Sequence, residues 1–108
     1  MLKLSIIIPA YNEEKTIIKL LDKVDKVNIE SVEKEIIVIN DCSSDGTQSL
    51  LEKNENLYSK LIKLKKNSGK GAAVKAGLLK ATGDFILFQD ADLEYDPNDY
   101  EKLFLLEF

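Results

Sequence analysis

Histidine, arginine and tryptophan are absent from this 108-residue sequence, and cysteine occurs once, as Cys42. Without histidine the chain has neither a His-based zinc site nor a histidine general base. Without arginine, a phosphate ligand must be held by lysine, by backbone N–H groups or by a metal. The single cysteine excludes an internal disulfide and favours a reducing compartment.

Long apolar runs and an excess of positive charge are absent too. No apolar run approaches the roughly 20 residues of a membrane-spanning helix, and the apolar part of MLKLSIIIPAYNEE is too short for a secretory signal. Fifteen lysines against nineteen acids give a net charge of −4, which argues against a nucleic-acid binder. We expect one globular, cytoplasmic domain that covers residues 1–108.

Four short apolar runs predict β-strands at residues 4–9, 35–40, 60–65 and 84–89. The first, second and fourth are almost continuous Ile, Val, Leu and Phe, which is typical of strands covered on both faces. The third alternates apolar residues with lysine, which suits an edge strand.

Helical patterns separate these runs. Asn12 is a candidate cap for a first helix, and a second helix is expected to start near Asp45 or Thr47. A third helix follows NSGKG and stops near Gly83, and a fourth opens at Asp96 and Pro97. The alternation predicts an α/β fold with an open, mostly parallel sheet of about four strands and helices on both faces.

Ligands of an open parallel sheet bind outside the carboxyl ends of its strands. The segments at those four ends are PAYNEE, DCSSDGT, KNSGKG and DADLEYD, and all are polar, charged or turn-forming. This concentration of polar residues predicts a binding site at that edge of the sheet.

The last segment holds two carboxylates, Asp90 and Asp92, that can reach one ion at the end of a strand. Hard oxygen ligands suit Mg²⁺ or Mn²⁺. A solvated acidic turn is the alternative, and for Asp96 a helix cap is sufficient. An EF-hand-like calcium loop is disfavoured because Tyr95 occupies the position of its required glycine.

The third segment places Gly69 and Gly71 around Lys70. Glycines allow close backbone approach to a ligand, and the lysine supplies charge near a helix N-terminus. A flexible loop with a solvated lysine explains the same residues equally well.

The first two segments offer Tyr11 to stack on a base, Glu13 to accept a hydrogen bond and Asp41 to accept from uracil or guanine. The alternative for Glu13 is that it only charges a helix terminus. Cys42 is expected to be a small packing residue, because no histidine is present to activate it.

Together, SIIIPAYNEE, EIIVINDCSSDGT, NSGKGAAVKAG and ATGDFILFQDADLEYDP resemble the family 2 glycosyltransferases of the GT-A fold in order and spacing. The QDADLEYDP form is most similar to the branch that makes polyprenyl-phosphate sugars, such as dolichol-phosphate mannose and glucose synthases.

The resemblance implies transfer of a hexose from a UDP- or GDP-sugar to a polyprenyl (dolichyl) phosphate, with Mg²⁺ or Mn²⁺ at the donor diphosphate. It implies that Asp92 binds the metal and that Asp90 contacts metal, ribose or both. The other donor-site residues that it implies are Pro9, Ala10, Tyr11, Glu13, Asp41, Gly69, Lys70, Gly71 and Ala91.

The resemblance covers nearly the whole chain but only the front half of the family's catalytic domain. We therefore expect the acceptor-binding half, and in a longer form a contact with the cytoplasmic face of a membrane, beyond Phe108. No catalytic base is assigned. The alternatives are a non-catalytic nucleotide-binding or interaction module, which would form a homodimer through the apolar C-terminal helix (Leu103, Phe104, Leu105, Leu106 and Phe108), and a receiver- or phosphatase-like domain. The last is disfavoured because its key Asp would lie on an earlier strand.

Overall fold

A parallel β-sheet forms the centre of the protein in the computed structural model, which describes residues 1–91. Its strands in this part of the chain are β1 (Leu2–Ala10), β2 (Val32–Asn40), β3 (Lys60–Lys63) and β4 (Phe85–Phe88), in the spatial order β3-β2-β1-β4. All three neighbouring pairs are parallel. The four predicted runs are therefore strands, and the third does lie at an edge.

Three helices connect these strands, α1 (Ile17–Lys26), α2 (Thr47–Lys53) and α3 (Lys70–Lys80), and a short 3-10 helix spans Glu55–Leu57. The first two pack on one face of the sheet and α3 packs on the other. The predicted α/β fold with helices on both faces is confirmed. The helix predicted from Asp96 lies outside the described residues, as do the apolar residues 103–108.

The core on the α1 face consists of large aliphatic side chains. In β1, Ile6 and Ile8 point to this face while Ile7 points to the other, because successive strand residues alternate. Helix α1 buries Ile17, Leu20, Leu21 and Val24, which the 3.6-residue helical period places on one face. Leu51 of α2 and Leu57 complete this layer.

The core on the α3 face depends instead on small residues. Helix α3 lies over β1 and β2 and buries Ala73 and Gly77 against Ile7 and Ile39. A Cβ at Gly77 would lie 2.7 Å from Cγ2 of Ile7 and 2.8 Å from Cδ1 of Ile39. Only glycine therefore allows the helix backbone to approach the sheet this closely.

Within residues 1–91, strand β4 is covered on one face only, whereas its continuous apolar run predicted cover on both. Ile86 is 39% exposed and Phe88 is 52% exposed. Their register partners in β1 are Ser5 and Ile7, so both side chains lie on the α3 face. Because α3 lies over β1 and β2, no helix of residues 1–91 covers them.

Two predicted helix boundaries are wrong. Asn12 does not cap α1, which begins at Ile17; instead its backbone is left-handed, with φ 53°. Gly83 does not end α3, which stops at Lys80. A Cβ at Gly83 would lie 2.6 Å from Oγ of Ser5, so this glycine serves the close approach of the α3–β4 turn to β1.

The amino ends of the strands hold a buried carboxylate, which the apolar pattern of residues 35–40 did not reveal. Glu35 is 5% exposed and accepts hydrogen bonds from the Ser5 hydroxyl at 2.7 Å and from the Thr82 amide and hydroxyl, each at 2.9 Å. The ammonium groups of Lys60 and Lys3 lie 3.2 and 3.6 Å away. Burial alone would raise the pKa of Glu35, but these hydrogen bonds outweigh it and lower that pKa to about 2.

Lys34 of β2 binds to the end of α1. The Lys34 ammonium donates to the carbonyl oxygens of Val24 and Asp25, both at 2.7 Å, and to that of Val27. A lysine here satisfies carbonyls that the end of α1 leaves without intrahelical partners. Burial lowers the pKa of Lys34.

Candidate functional site

A pocket of about 300 Å³ opens at the carboxyl ends of β1, β2 and β4. Its lining residues are Pro9, Ala10, Tyr11, Glu13, Asp41, Lys70, Ala73, Asp90 and Ala91. Eight of these nine are candidates from the sequence. Gly69 and Gly71 flank Lys70 without lining the pocket, and Asp92 lies outside the described residues.

The loop between β1 and α1 carries Tyr11 and Glu13, and Asn12 holds it in place. The Asn12 side-chain oxygen accepts from the backbone N–H of Ser44 at 2.8 Å and of Asp45 at 3.3 Å. The Glu13 amide in turn donates to the Thr47 hydroxyl at 3.0 Å. These hydrogen bonds, together with the left-handed backbone at Asn12, hold the β1–α1 loop against the β2–α2 loop.

The loop between β2 and α2, which accepts and donates these contacts, is itself held by internal hydrogen bonds. Asn40 is fully buried, and its side-chain oxygen accepts from the Ser43 amide at 3.0 Å. Asp45 accepts from the Thr47 amide at 2.9 Å and hydroxyl at 2.6 Å. Burial opposes ionisation of Asp45, but the hydrogen bonds from Thr47 outweigh it and lower its pKa. These hydrogen bonds hold the loop in shape ahead of α2, which begins at Thr47, one of the two predicted starts.

Asp41 links the second strand to the loop that precedes α3. It is only 4% exposed, and its two carboxylate oxygens accept from the amides of Ser68 at 2.7 Å and Gly69 at 2.9 Å. Gly69 has φ 92°, a backbone conformation that suits glycine. Asp41 therefore fixes the position of Lys70 as well as lining the pocket. Its predicted contact with a base stays a prediction.

Opposite charges meet across the pocket at Lys70 and Asp90. Lys70 is the first residue of α3 and Asp90 follows the end of β4, and the Lys70 ammonium donates to Oδ1 of Asp90. The lysine side chain is 65% exposed and the aspartate side chain 25% exposed. The pair offers an incoming ligand a cation for phosphate oxygens and a carboxylate for a metal or a hydroxyl.

Two residues at the pocket were not anticipated from the sequence. Ala73 lines it because small residues bring α3 close to the sheet. Thr16 lies just outside it, and its hydroxyl oxygen is 2.7 Å from the Ala91 carbonyl and 3.1 Å from the Glu13 carboxylate. Only the small-residue pattern of GKGAAVKAG hints at the first, and no local signal marks the second.

The described residues supply part of a metal site. Within residues 1–91, no three His, Cys, Asp or Glu side chains lie close enough together to hold an ion. Asp90 does present a hard oxygen donor to the pocket, which fits Mg²⁺ or Mn²⁺ if phosphate oxygens complete the coordination. Asp92, the other predicted ligand, is not among the described residues. In this same part of the chain, no helix combines the length and apolar character needed to cross a bilayer.

A parallel sheet that gathers an exposed tyrosine, a buried aspartate and a lysine–aspartate pair at its carboxyl edge defines a ligand-binding α/β domain. Residues 5–106 match the model of the family described as Glycosyl transferase family 2, and the chain belongs to that family.

Individual relatives agree with this assignment. The poly(ribitol-phosphate) beta-N-acetylglucosaminyltransferase TarS of Staphylococcus aureus is 42% identical over 94 residues, which are 85% of this chain and 16% of TarS. A dolichyl-phosphate beta-glucosyltransferase of Dictyostelium discoideum is 39% identical over 110 residues, which cover 93% of this chain and 34% of that protein. The chain thus spans about a third or less of the length of these relatives.

Solved structures show the same fold. The crystal structure of TarS 1–349 in complex with UDP-GlcNAc superposes with a TM-score of 0.81 at 36% identity, over 96% of this chain and 30% of that one. A mannosyltransferase from Pyrobaculum calidifontis, in complex with GDP-Man and Mn²⁺, gives a TM-score of 0.72 at 28% identity, over 89% and 29% of the two chains. The expected GT-A relationship is confirmed.

Proposed function

We propose that this chain binds the nucleotide-sugar donor of a glycosyltransferase, a UDP- or GDP-hexose, with Mg²⁺ or Mn²⁺. The observation that carries the proposal is the pocket at the carboxyl edge of the sheet, where Asp41, Lys70 and Asp90 meet around about 300 Å³. The solved relatives support it, since one holds UDP-GlcNAc and another holds GDP-Man with Mn²⁺.

Three of the pocket residues have chemistry that suits a part of the donor. Tyr11 is 44% exposed, so its ring is accessible for stacking on a base. The Asp41 carboxylate retains acceptor capacity beside its two backbone partners, so it can accept from an imide or amino group of a base. The Lys70 ammonium is suited to the diphosphate.

Asp90 and Asp92 would hold the metal together with the donor. When bound, the metal neutralises charge on the leaving nucleoside diphosphate. Asp90 meets the Lys70 ammonium in this structure, so its carboxylate is already oriented by a cation. Donor binding would then place phosphate oxygens near both charged groups.

For the acceptor we propose a polyprenyl phosphate at the cytoplasmic face of a membrane. The relative from Dictyostelium discoideum is named for dolichyl phosphate, which supports this choice. A phosphate monoester has its second pKa near 6 and is largely ionised at neutral pH, so such an acceptor needs no base from this chain.

Titration calorimetry with UDP and with GDP, each in the presence and absence of Mn²⁺, tests donor binding. We expect one nucleotide to bind, and Mn²⁺ to tighten that binding by about 10-fold or more, because Asp90 adds a charged ligand to the metal. A folded protein that takes up neither nucleotide with Mn²⁺ present would refute the proposal.

The matched variants are Asp90→Asn and Asp25→Asn, which remove the same charge. Asp25 is exposed on α1, away from the pocket. We expect Asp90→Asn to lose most of the Mn²⁺ effect and Asp25→Asn to keep it. Equal behaviour of the two variants would show that Asp90 is not a metal ligand.

A further inference from the structure

Charge is strongly segregated along this chain. Residues 56–83 contain seven lysines and no Asp or Glu, whereas the remainder has eight lysines against nineteen acids. The basic segment forms β3, the loop after it and α3. A local concentration of one sign of charge within an oppositely charged protein creates a surface that attracts an oppositely charged partner.

The structure leaves most of this positive charge at the surface. Ion pairs engage Lys60 with Glu35 and Lys70 with Asp90, and none joins the other five lysines to a carboxylate within residues 1–91. Four of those five are exposed on α3 or on loop 64–69 before it, namely Lys65, Lys66, Lys75 and Lys80. We call the exposed side of α3 together with loop 64–69 the basic face.

Exposed leucines accompany the lysines on the basic face. Leu78 is 42% exposed and Leu79 is 77% exposed. Helix α3 turns its small residues, Ala73 and Gly77, toward the sheet, so its larger apolar side chains contact solvent. Lys75 and Leu79 are four residues apart and therefore share one side of the helix.

Lysine and leucine on one helix side match the chemistry of an anionic bilayer surface. Lysines are attracted to anionic headgroups, while aliphatic side chains enter the boundary between headgroups and acyl chains. A nucleic acid fits less well, because base contacts draw on arginine and aromatic side chains. Residues 64–80 contain neither.

We propose that the basic face docks this protein onto an anionic phospholipid bilayer. Loop 64–69 leads directly into Lys70, which lines the pocket, so docking would hold the pocket mouth near the membrane surface. The proposal deepens the acceptor proposal by naming the surface that would contact the membrane. It rests on charge and exposure and is independent of which nucleotide the pocket takes.

Vesicle co-sedimentation tests the docking. We expect the protein to pellet with phosphatidylcholine vesicles that contain phosphatidylglycerol, and not with pure phosphatidylcholine. Raising the salt concentration should release it, because salt screens the attraction. Equal pelleting with both kinds of vesicle, or none with either, would overturn the proposal.

Two quadruple lysine-to-glutamine variants locate the contact. The first changes Lys65, Lys66, Lys75 and Lys80, and the second changes four exposed lysines outside the basic face, Lys15, Lys19, Lys26 and Lys53. Both lose the same net charge. We expect the first to weaken partitioning on the order of 100-fold and the second to lose far less. Equal losses would show a response to net charge alone and overturn the assignment.

Leu79→Trp reports whether the apolar side chain enters the bilayer, since the natural chain has no tryptophan. We expect its fluorescence to shift to shorter wavelength with anionic vesicles, while Lys19→Trp on α1 shows no shift. An unshifted Leu79→Trp signal in vesicle-bound protein would contradict the proposal. Binding of single-stranded RNA without vesicle binding would assign the basic face to nucleic acid instead.

The nucleotide titration keeps this proposal separate from the donor-site proposal. The first quadruple variant retains every residue that lines the pocket. We expect its affinity for UDP or GDP to be unchanged while vesicle binding is lost. Loss of both together would show that the substitutions disturb the fold around α3 rather than a membrane contact.

Discussion

The two faces of the sheet are built in opposite ways. On the α1 face, large side chains such as Leu20 and Leu21 are fully buried. On the α3 face, Ala73 and Gly77 make the contact, and Leu78 and Leu79 remain exposed. The α1 face therefore supplies most of the hydrophobic stabilisation, because that stabilisation is proportional to the apolar area that is buried.

The difference reflects what each helix positions. Small residues let α3 lie close to β1 and β2, which brings Lys70 at its first turn over the pocket next to Asp41 and Asp90. Six residues separate the end of β1 from the start of α1, and this loop carries Tyr11 and Glu13. One face thus mainly stabilises the fold, and the other places a charged group at the site.

The largest expected effect is on the α1 face. Leu21→Ala should lower the free energy of unfolding by about 2–5 kcal/mol, because it leaves a cavity in a closed core. The matched change Leu79→Ala, at a side chain that is 77% exposed, should stay within about 0.5 kcal/mol. Urea denaturation measures both, and equal losses would contradict the contrast between the two faces.

The second effect concerns the buried carboxylate at the amino ends of the strands. The pKa of Glu35 is about 2 in the folded protein against an ordinary 4.5. Its stabilisation is therefore complete above about pH 4.5 and is lost as the pH falls toward 2, by roughly 3 kcal/mol.

Denaturation across this pH range should show the loss in the natural chain and a flatter profile in Glu35→Gln. Glu33→Gln serves as the control, since Glu33 is exposed on the same strand. We expect that variant to retain the full pH dependence. If Glu35→Gln retains it as well, other carboxylates are responsible.

The smallest of the three effects tests close packing of α3. Gly77→Ala should destabilise the protein by about 1–3 kcal/mol, because the new Cβ would meet Ile7 and Ile39 below 3.0 Å. A Cβ at Gly71 in the same helix would meet no atom of residues 1–91 within 4 Å, so Gly71→Ala should stabilise the helix by up to about 1 kcal/mol. The same sign for both in thermal unfolding would mean that α3 does not pack closely on the sheet.

Much of the fold follows from local patterns. Apolar runs around Ile6 and Ile37 predict β1 and β2, and the helical period predicts α1. These predictions succeed because the spacing of apolar side chains follows the period of the element that buries them. Five pocket residues, Tyr11, Glu13, Asp41, Lys70 and Asp90, could be chosen because polar residues follow strand ends, and parallel strands bring those ends to one edge. Pro9, Ala10 and Ala91 were implied only by the resemblance to family 2 glycosyltransferases. Exposure of Ile86 and Phe88 could not be predicted, because it depends on where α3 lies.

The hydrogen-bond partners of polar side chains do not follow from local patterns. Asn12 looks like a helix cap in the sequence, yet it bonds to amides 32 and 33 residues away. Glu35 looks like the start of an apolar strand, yet its partners come from β1, β3 and the α3–β4 turn. A hydrogen bond depends on a partner that the local pattern does not identify.

The sequence by itself determined the order of strands and helices, the predicted resemblance to family 2 glycosyltransferases and the segregation of lysines into residues 56–83. Only the tertiary structure decided that Asp41 holds the Ser68–Gly69 loop, that Lys70 meets Asp90 and that α3 turns leucines outward. The reason is physical: periodicity and composition are properties of neighbouring residues, whereas these contacts exist only after folding brings distant segments together.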